Sequence, residues 1–328
     1  MVKLNIPLST PKFTLKNRLA FPPIATGKAD AEGHLTPELL SYYREKSADG
    51  CFGLIIVEHS YISSEGKARG VQLSAANDTD LDGLSRLADA IRENGSFAVL
   101  QINHGGSACA DCDHPMIAPS AVINPFSDRM PRAMTHDDIR RIIDLFAAAA
   151  RRAQKAGFDA VEIHSAHAYL LNQFYSPLTN YREDAYGGSL ENRVRLHREV
   201  IHAVRQTVGE AYPIFMRLGA CDYLPGGNTT EDGAQAAALL EQAGVDFLDV
   251  SGGFCRYTIK DRTLAGYFSD SSIAIRSAVQ IPVMLTGGVT TGQEAEALLE
   301  QNAADVIGVG RKAMADSGWA RRALDSLQ

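Results

Sequence analysis

Short, continuous apolar runs alternate along the chain with longer stretches whose apolar positions recur at intervals of three and four residues. The first pattern suits a strand buried on both faces of a parallel sheet, and the second an amphipathic helix. A recurring phrase joins them: a helix-like run ends in a small residue, an Asp or an apolar turn follows, and a short β-branched run comes next. It stands at SADGCFGLIIVEH (47–59), KAGFDAVEIH (155–164), EQAGVDFLDVSG (241–252) and EQNAADVIGVG (300–310). Glycine after a helix permits the left-handed cap that turns the chain into the next strand.

Extending this pattern places strands near 19–24, 53–57, 97–102, 159–163, 213–217, 246–250, 281–285 and 305–309. Helical periodicity fills the intervals, as at 36–48, 80–94, 135–157 and 231–244. Eight alternations with no linker or low-complexity tract predict an α/β protein, a (β/α)8 TIM barrel forming one domain over 1–328. The segment IPLSTPKFTLKNR (6–18) reads as a short hairpin that closes the barrel bottom. Chemistry in such barrels sits at the carboxyl ends of the strands, so residues just after each strand are the candidates.

Composition narrows the classes. The 328 residues are 45% hydrophobic and 22% charged, enough for a large core. A net charge of −7 argues against nucleic-acid binding, which needs a basic surface, so any bound anion must be held locally. No run approaches the length of a membrane span and the N-terminus has no signal-like core, so a cytoplasmic protein without a membrane partner is expected. A homo-oligomer stays open. Five scattered cysteines, Cys51, Cys109, Cys112, Cys221 and Cys255, do not form a disulfide framework. Cys109 and Cys112 make a CxxC near His104 and His114, which reads as either a metal or redox element or a pair of loop thiols. No second CxxC lies nearby, and no metal is expected.

The last two strand ends carry TGGV (286–289) and GVGR (308–311). Barrels commonly bind phosphate there, with glycine backbone N–H groups (Gly287, Gly288, Gly310) and a bidentate arginine (Arg311) as partners; the alternative is that these glycines only make tight turns. No GxGxxG or GxxxxGK[ST] is present, so a mononucleotide such as FMN suits the chain better than a Rossmann-bound dinucleotide. After the fourth strand comes HSAHAYLLNQFYSPLTNYREDAYGGSLENRVRLHREV (164–200). His164, His167 and Tyr169 fall within one turn of the strand end. Two imidazoles can donate to one oxygen while a phenol transfers a proton; a metal pair or two satisfied structural histidines are the other readings. Farther on, Asn180, Arg182, Asp184, Tyr186, Glu191, Asn192, Arg193 and Arg195 read as a polar network ordering a long loop.

This block resembles the signature of the old yellow enzyme family, the NADH:flavin oxidoreductases, which are FMN-binding (β/α)8 barrels. The resemblance runs from LKNRLAFPP (15–23) through GLIIVE (53–58), QINHGG (101–106) and AGFDAVEIHSAHAYL (156–170) to GVGRKAMADSGW (308–319). It implies that Pro23, Ile24 and Ala25 lie along the flavin edge, Ser60 near its ring, and Gln101 and Arg217 on the pyrimidine side. Gly288, Gly310 and Arg311 would hold the phosphate, His164 and His167 the substrate carbonyl oxygen, and Tyr169 would be the proton donor. The implied enzyme reduces a small-molecule α,β-unsaturated carbonyl compound with NADH or NADPH, by alternating half-reactions at one site.

The sequence departs from the family in three ways. Ala25 stands where some members have Cys or Thr, the usual arginine after the HxG element is replaced in HGGSA (104–108), and no cysteine follows Cys255 to bind an iron–sulfur cluster. Two rival readings remain. One is a flavin-free barrel aldolase or isomerase, for which Lys260 and Lys312 are the nearest nucleophiles; the other is a non-catalytic flavin-binding protein.

Overall fold

The computed structural model describes residues 2–109 and 114–327. Eight parallel strands close into a barrel: β1 (Leu19–Phe21), β2 (Leu54–Tyr61), β3 (Phe97–Asn103), β4 (Ala160–Ser165), β5 (Ile214–Cys221), β6 (Phe247–Gly252), β7 (Val283–Thr286) and β8 (Val306–Gly308). Each pairs with its sequence neighbour, and β8 returns to β1 with Ile307 opposite Leu19 and Gly308 opposite Ala20. The strands are followed in turn by α1 (Pro37–Ser47), α2 (Leu81–Arg92), α3 (His136–Lys155), α4 (Arg195–Val208), α5 (Thr230–Gln242), α6 (Ser269–Ala278), α7 (Gly292–Glu300) and α8 (Trp319–Asp325). This is the (β/α)8 barrel expected from the alternation.

The recurring joint has a local physical cause. Gly50, Gly157 and Gly244 take the left-handed conformation at φ 65°, 88° and 107°, and Asn302, in the repeat with no glycine at the joint, takes it at 56°. The Asp that follows clips the preceding strand: the carboxylates of Asp159, Asp246 and Asp305 accept from the backbone N–H groups of Ala98, Ile214 and Val283 at 2.8, 2.9 and 3.0 Å. The opposite helix ends are set by threonines. Thr135, Thr229 and Thr291 each cap a helix whose third residue, Asp138, Asp232 or Glu294, reaches back to the cap.

Two expectations need adjustment. Strand β1 stops at Phe21 and not at 24, because Pro22 and Pro23 have no N–H to donate to the ladder. Strand β2 runs on to Tyr61, through a register shift between Val57 and Ser60. The N-terminal hairpin is present, with Leu8–Ser9 antiparallel to Thr14–Leu15. Its Phe13 plugs the amino-terminal end of the barrel, 5.2 Å from the Phe215 ring and in one cluster with Leu54, Val99, Ala160 and Met284. With that end filled by apolar side chains, the space for a ligand lies at the other.

Candidate active site

A cavity of about 770 Å³ opens at the carboxyl ends of the strands. At its deep end, side chains of β3 to β6 face each other through the strand register: Gln101 beside Glu162, His164 beside Arg217, and Arg217 beside Asp249. Gln101 Nε2 donates to Glu162 Oε2 at 2.6 Å, and an Arg217 Nη donates to the carbonyl of Pro23 at 3.3 Å. Arg217 Nε lies 3.1 Å from Asp249 Oδ2, yet neither atom is aligned for a hydrogen bond, so the contact is an ion pair by proximity. Burial and the charge of Asp249 hold the Glu162 carboxyl well above its ordinary range, and burial lifts Asp249 to about 6 against the pull of Arg217.

The turn after β4 builds the reactive cluster. His167 and Ala168 both adopt left-handed backbone, at φ 60° and 63°. Asn172 Oδ1 accepts from Ala168 N at 2.8 Å and Gln173 Nε2 donates to Ala168 O at 2.6 Å, holding that turn against the short helix Leu170–Tyr175. The His164 ring then lies 5.1 Å from His167 and 5.0 Å from Tyr169, perpendicular to both within about ten degrees. A third imidazole, His59, stacks on Tyr169 at 5.4 Å.

Burial lowers the pKa of all three histidines. His59 falls to about 3, with Arg69, Arg217 and Arg256 adding to the effect, and His164 and His167 lie well below their ordinary value. Each is neutral at physiological pH and so has one donor and one acceptor nitrogen. His164 Nδ1 accepts from Ala166 N at 3.1 Å, which puts the proton on Nε2. His167 Nε2 is 2.7 Å from the Ser251 hydroxyl.

At the other end of the cavity the donors have few internal partners. Gly288 is left-handed at φ 74°, and a Cβ there would meet the Leu264 carbonyl oxygen at 2.7 Å, so only glycine leaves this rim open. Gly287 precedes it, Gly310 opens the short helix Arg311–Ala315, and the buried Thr286 hydroxyl has no hydrogen-bond partner among the described residues. Arg311 Nη2 donates to the Tyr267 hydroxyl at 3.4 Å. Pro23, Ile24 and Ala25 supply an apolar wall between the two ends. An amide and a guanidinium at the deep end, a flat apolar edge, and glycines with an arginine at the rim match the pyrimidine, ring edge and phosphate of FMN.

The cavity gathers every site residue named from the sequence except Ser60, which is fully buried and donates to the Glu58 carbonyl at 3.1 Å. The β2 register shift brings His59 to the cavity in its place. Arg69, Arg256, Tyr257 and Tyr267 also line the cavity and were not singled out, since they lie in loops with no periodic signal. The downstream polar run does order its loop: Asn180 Nδ2 donates to the carbonyls of Phe174 and Tyr186, and Arg182 to those of Pro119 and Met134. Lys260 does not reach the cavity and Lys312 is exposed at its rim. Cys112 lies outside the described residues, and among those described no three His, Cys, Asp or Glu side chains converge as metal ligands.

A closed parallel barrel with this donor set defines a flavin-binding oxidoreductase, and the comparisons agree. The model of the NADH:flavin oxidoreductase / NADH oxidase family matches residues 3–328, and the chain belongs to that family. It is 39% identical to an NADPH dehydrogenase of Halalkalibacterium halodurans, over 94% of this chain and 90% of that one. Among solved structures it resembles the old yellow enzyme homologue of Zymomonas mobilis, with a TM-score of 0.85, 28% identity and coverage of 99% of this chain and 93% of that one. It also resembles morphinone reductase in complex with tetrahydroNAD, with a TM-score of 0.84, 27% identity and coverage of 99% of this chain and 91% of that one. The protein is an FMN-dependent NAD(P)H oxidoreductase. No helix among the described residues is long and apolar enough to cross a membrane.

Proposed function

We propose that the protein uses NADH or NADPH to reduce the activated C=C bond of α,β-unsaturated carbonyl compounds, in two alternating half-reactions at one site. The observation that carries this reading is the cluster of two neutral imidazoles and a phenol, with His164 5.0 Å from Tyr169 and 5.1 Å from His167. Bound FMN would store the hydride between the half-reactions, held by Gln101 and Arg217 at the pyrimidine end and by Gly287, Gly288, Gly310 and Arg311 at the phosphate. His164 and His167 donate hydrogen bonds to the substrate carbonyl oxygen and stabilise the negative charge that develops there. Their low pKa values fit this role, because a neutral imidazole binds the oxygen without surrendering its own proton. Tyr169, oriented by the stacked His59, gives its proton to the α-carbon. Arg217 keeps a positive charge beside the pyrimidine end, where reduction builds up negative charge.

The test is anaerobic. Purified protein should be yellow, should bleach with NADH or NADPH, and should recover its colour on addition of 2-cyclohexenone. A protein that bleaches but is reoxidised by no enone, enal or nitroalkene would remain a nicotinamide oxidoreductase and would lose the alkene assignment.

A further inference from the structure

The cavity carries more positive charge than this chemistry uses. Arg69, Arg217, Arg256, Arg311 and Lys312 line it, and among the described residues no Asp or Glu does, in a chain whose net charge is −7. A concave site with cations and no compensating carboxylate on its wall concentrates positive potential within the opening. Arg311 and Lys312 stand at the glycine rim where a phosphate would lie, and Arg217 is backed by Asp249. That leaves Arg69, in the loop after β2, and Arg256, in the loop after β6. Both are on the imidazole side: Gln72, in the Arg69 loop, donates from its Nε2 to the His59 carbonyl at 2.6 Å, and the ring of Tyr257, beside Arg256, lies 6.2 Å from that of His167. Neither guanidinium has a carboxylate within 4.0 Å among the described residues.

Arg256 is also held in place. Its backbone is left-handed at φ 63°, and its guanidinium lies 4.6 Å from the Phe126 ring centre and 6.0 Å from that of Tyr257. Its Nε is buried without a hydrogen-bond partner among the described residues. Stacking occupies the face of a guanidinium and leaves its edge N–H groups for a ligand, the geometry that suits bidentate binding of an oxyanion. An arginine ordered by aromatic rings but without an anion is prepared for one that arrives with the ligand.

We infer that Arg69 and Arg256 form an oxyanion subsite for the molecule bound against the imidazoles, and that the preferred substrate is an unsaturated carbonyl compound bearing a carboxylate. This rests on the alkene-reductase reading above. The diphosphate of the nicotinamide dinucleotide presents the same oxyanion chemistry, so the experiment separates the two sources.

Arg69→Gln, Arg256→Gln and the double variant are compared with the parent holoenzyme, with FMN content as the control for folding. Dissociation constants are read from the flavin spectrum for 4-hydroxybenzaldehyde and 4-hydroxybenzoate, which share the phenol and differ in the charge opposite it. Turnover is compared for pent-3-en-2-one and 4-oxopent-2-enoate, and flavin reduction for NADPH and a phosphate-free N-benzyl dihydronicotinamide. The double variant should weaken the carboxylate-bearing members roughly 10–100-fold more than their neutral partners, the range for a charge-assisted contact. Equal losses for charged and neutral ligands overturn the subsite. Selective loss with NADPH, with the two phenols falling together, overturns the substrate carboxylate and assigns the pair to the dinucleotide. If no enone is reduced by the parent yet the phenols are still discriminated, the subsite stands and the reductase reading falls.

Discussion

His167 and Ala168 hold two successive left-handed conformations, each unfavourable for a residue with a Cβ by about 1–2 kcal/mol. The side chains of Asn172 and Gln173 offset this by hydrogen-bonding both backbone groups of Ala168, and the turn delivers His164, His167 and Tyr169 to one point. Tyr169→Phe keeps the ring on His59 and removes only the hydroxyl. Flavin reduction by nicotinamide should change little, and reoxidation by an enone should slow by ~10²–10⁴. Stopped-flow traces of the two half-reactions decide this: equal slowing of both, or of neither, removes the tyrosine from the role of acid. At the far end of the cavity, Arg311→Ala should weaken FMN binding by about 1.5–3 kcal/mol through loss of a charge-assisted contact. Unchanged flavin occupancy after extensive dilution would contradict the phosphate assignment. At this scale the sequence revealed the cluster because its three members sit within six positions of one strand end. It gave His59, at the end of β2, no role, because a side chain's face there depends on a register shift against β3 that leaves no mark in the local pattern.

The helix-to-strand joint is legible for the opposite reason: its glycine and aspartate act on backbone only a few bonds away or on the neighbouring strand end. Asp246 shows how much one such residue holds. Its Oδ2 accepts from Ile214 N at 2.9 Å and from an Arg205 Nη at 2.6 Å, and its Oδ1 lies 2.8 Å from Lys12 Nζ. It thus ties β5, α4 and the N-terminal hairpin to the start of β6. Asp246→Ala leaves the first amide of β5 without its acceptor and should cost about 2–3 kcal/mol, the range for a broken, partly buried network. Thermal unfolding of the holoprotein measures it. A loss under about half a kilocalorie would show that water replaces the carboxylate and that the strand start needs no clip. The end of β1 was misjudged from the same local signals, since an apolar count carries the strand through Pro22 and Pro23 while the ladder needs their missing N–H groups.

For the molecule as a whole, the barrel follows from eight repeated joints, whereas the charge inside it could not be read from composition: the net charge is −7, and loops bring Arg69 and Arg256 to the cavity. The same burial that keeps the imidazoles neutral couples the fold to pH. His59, His104, His164, His167 and His197 all have lowered pKa values, with burial the first cause in each, and His59 and His197 reach about 3. In the unfolded chain each returns to about 6.5, so the unfolded state binds more protons as pH drops below that value. Stability is then greatest above the unfolded pKa and falls as pH decreases towards the folded one, by up to about 1.4 kcal/mol per pH unit for each proton taken up. Glu162 and Asp249 act in the opposite sense, and so do Glu58, Asp159 and Asp222, which burial also raises. Their raised pKa values favour the fold at low pH, and Asp249 loses that contribution as pH rises from about 4 to about 6. The unfolded imidazoles titrate at the top of this interval, whereas a carboxyl opposes them there only where its folded pKa reaches into it, so stability should decline from about pH 6.5 to about pH 5. His197 provides the internal control: it lies outside the cavity, bonded to Ser165 at 2.7 Å, so His197→Gln leaves the site's titrating groups in place. That variant should be less stable at pH 7 and should show a pH slope shallower by close to one proton. Urea unfolding of both proteins across the interval measures the slopes. A parent whose stability does not change with pH, or a variant with an undiminished slope, would mean that the buried imidazoles reach solvent and protonate while the barrel is folded.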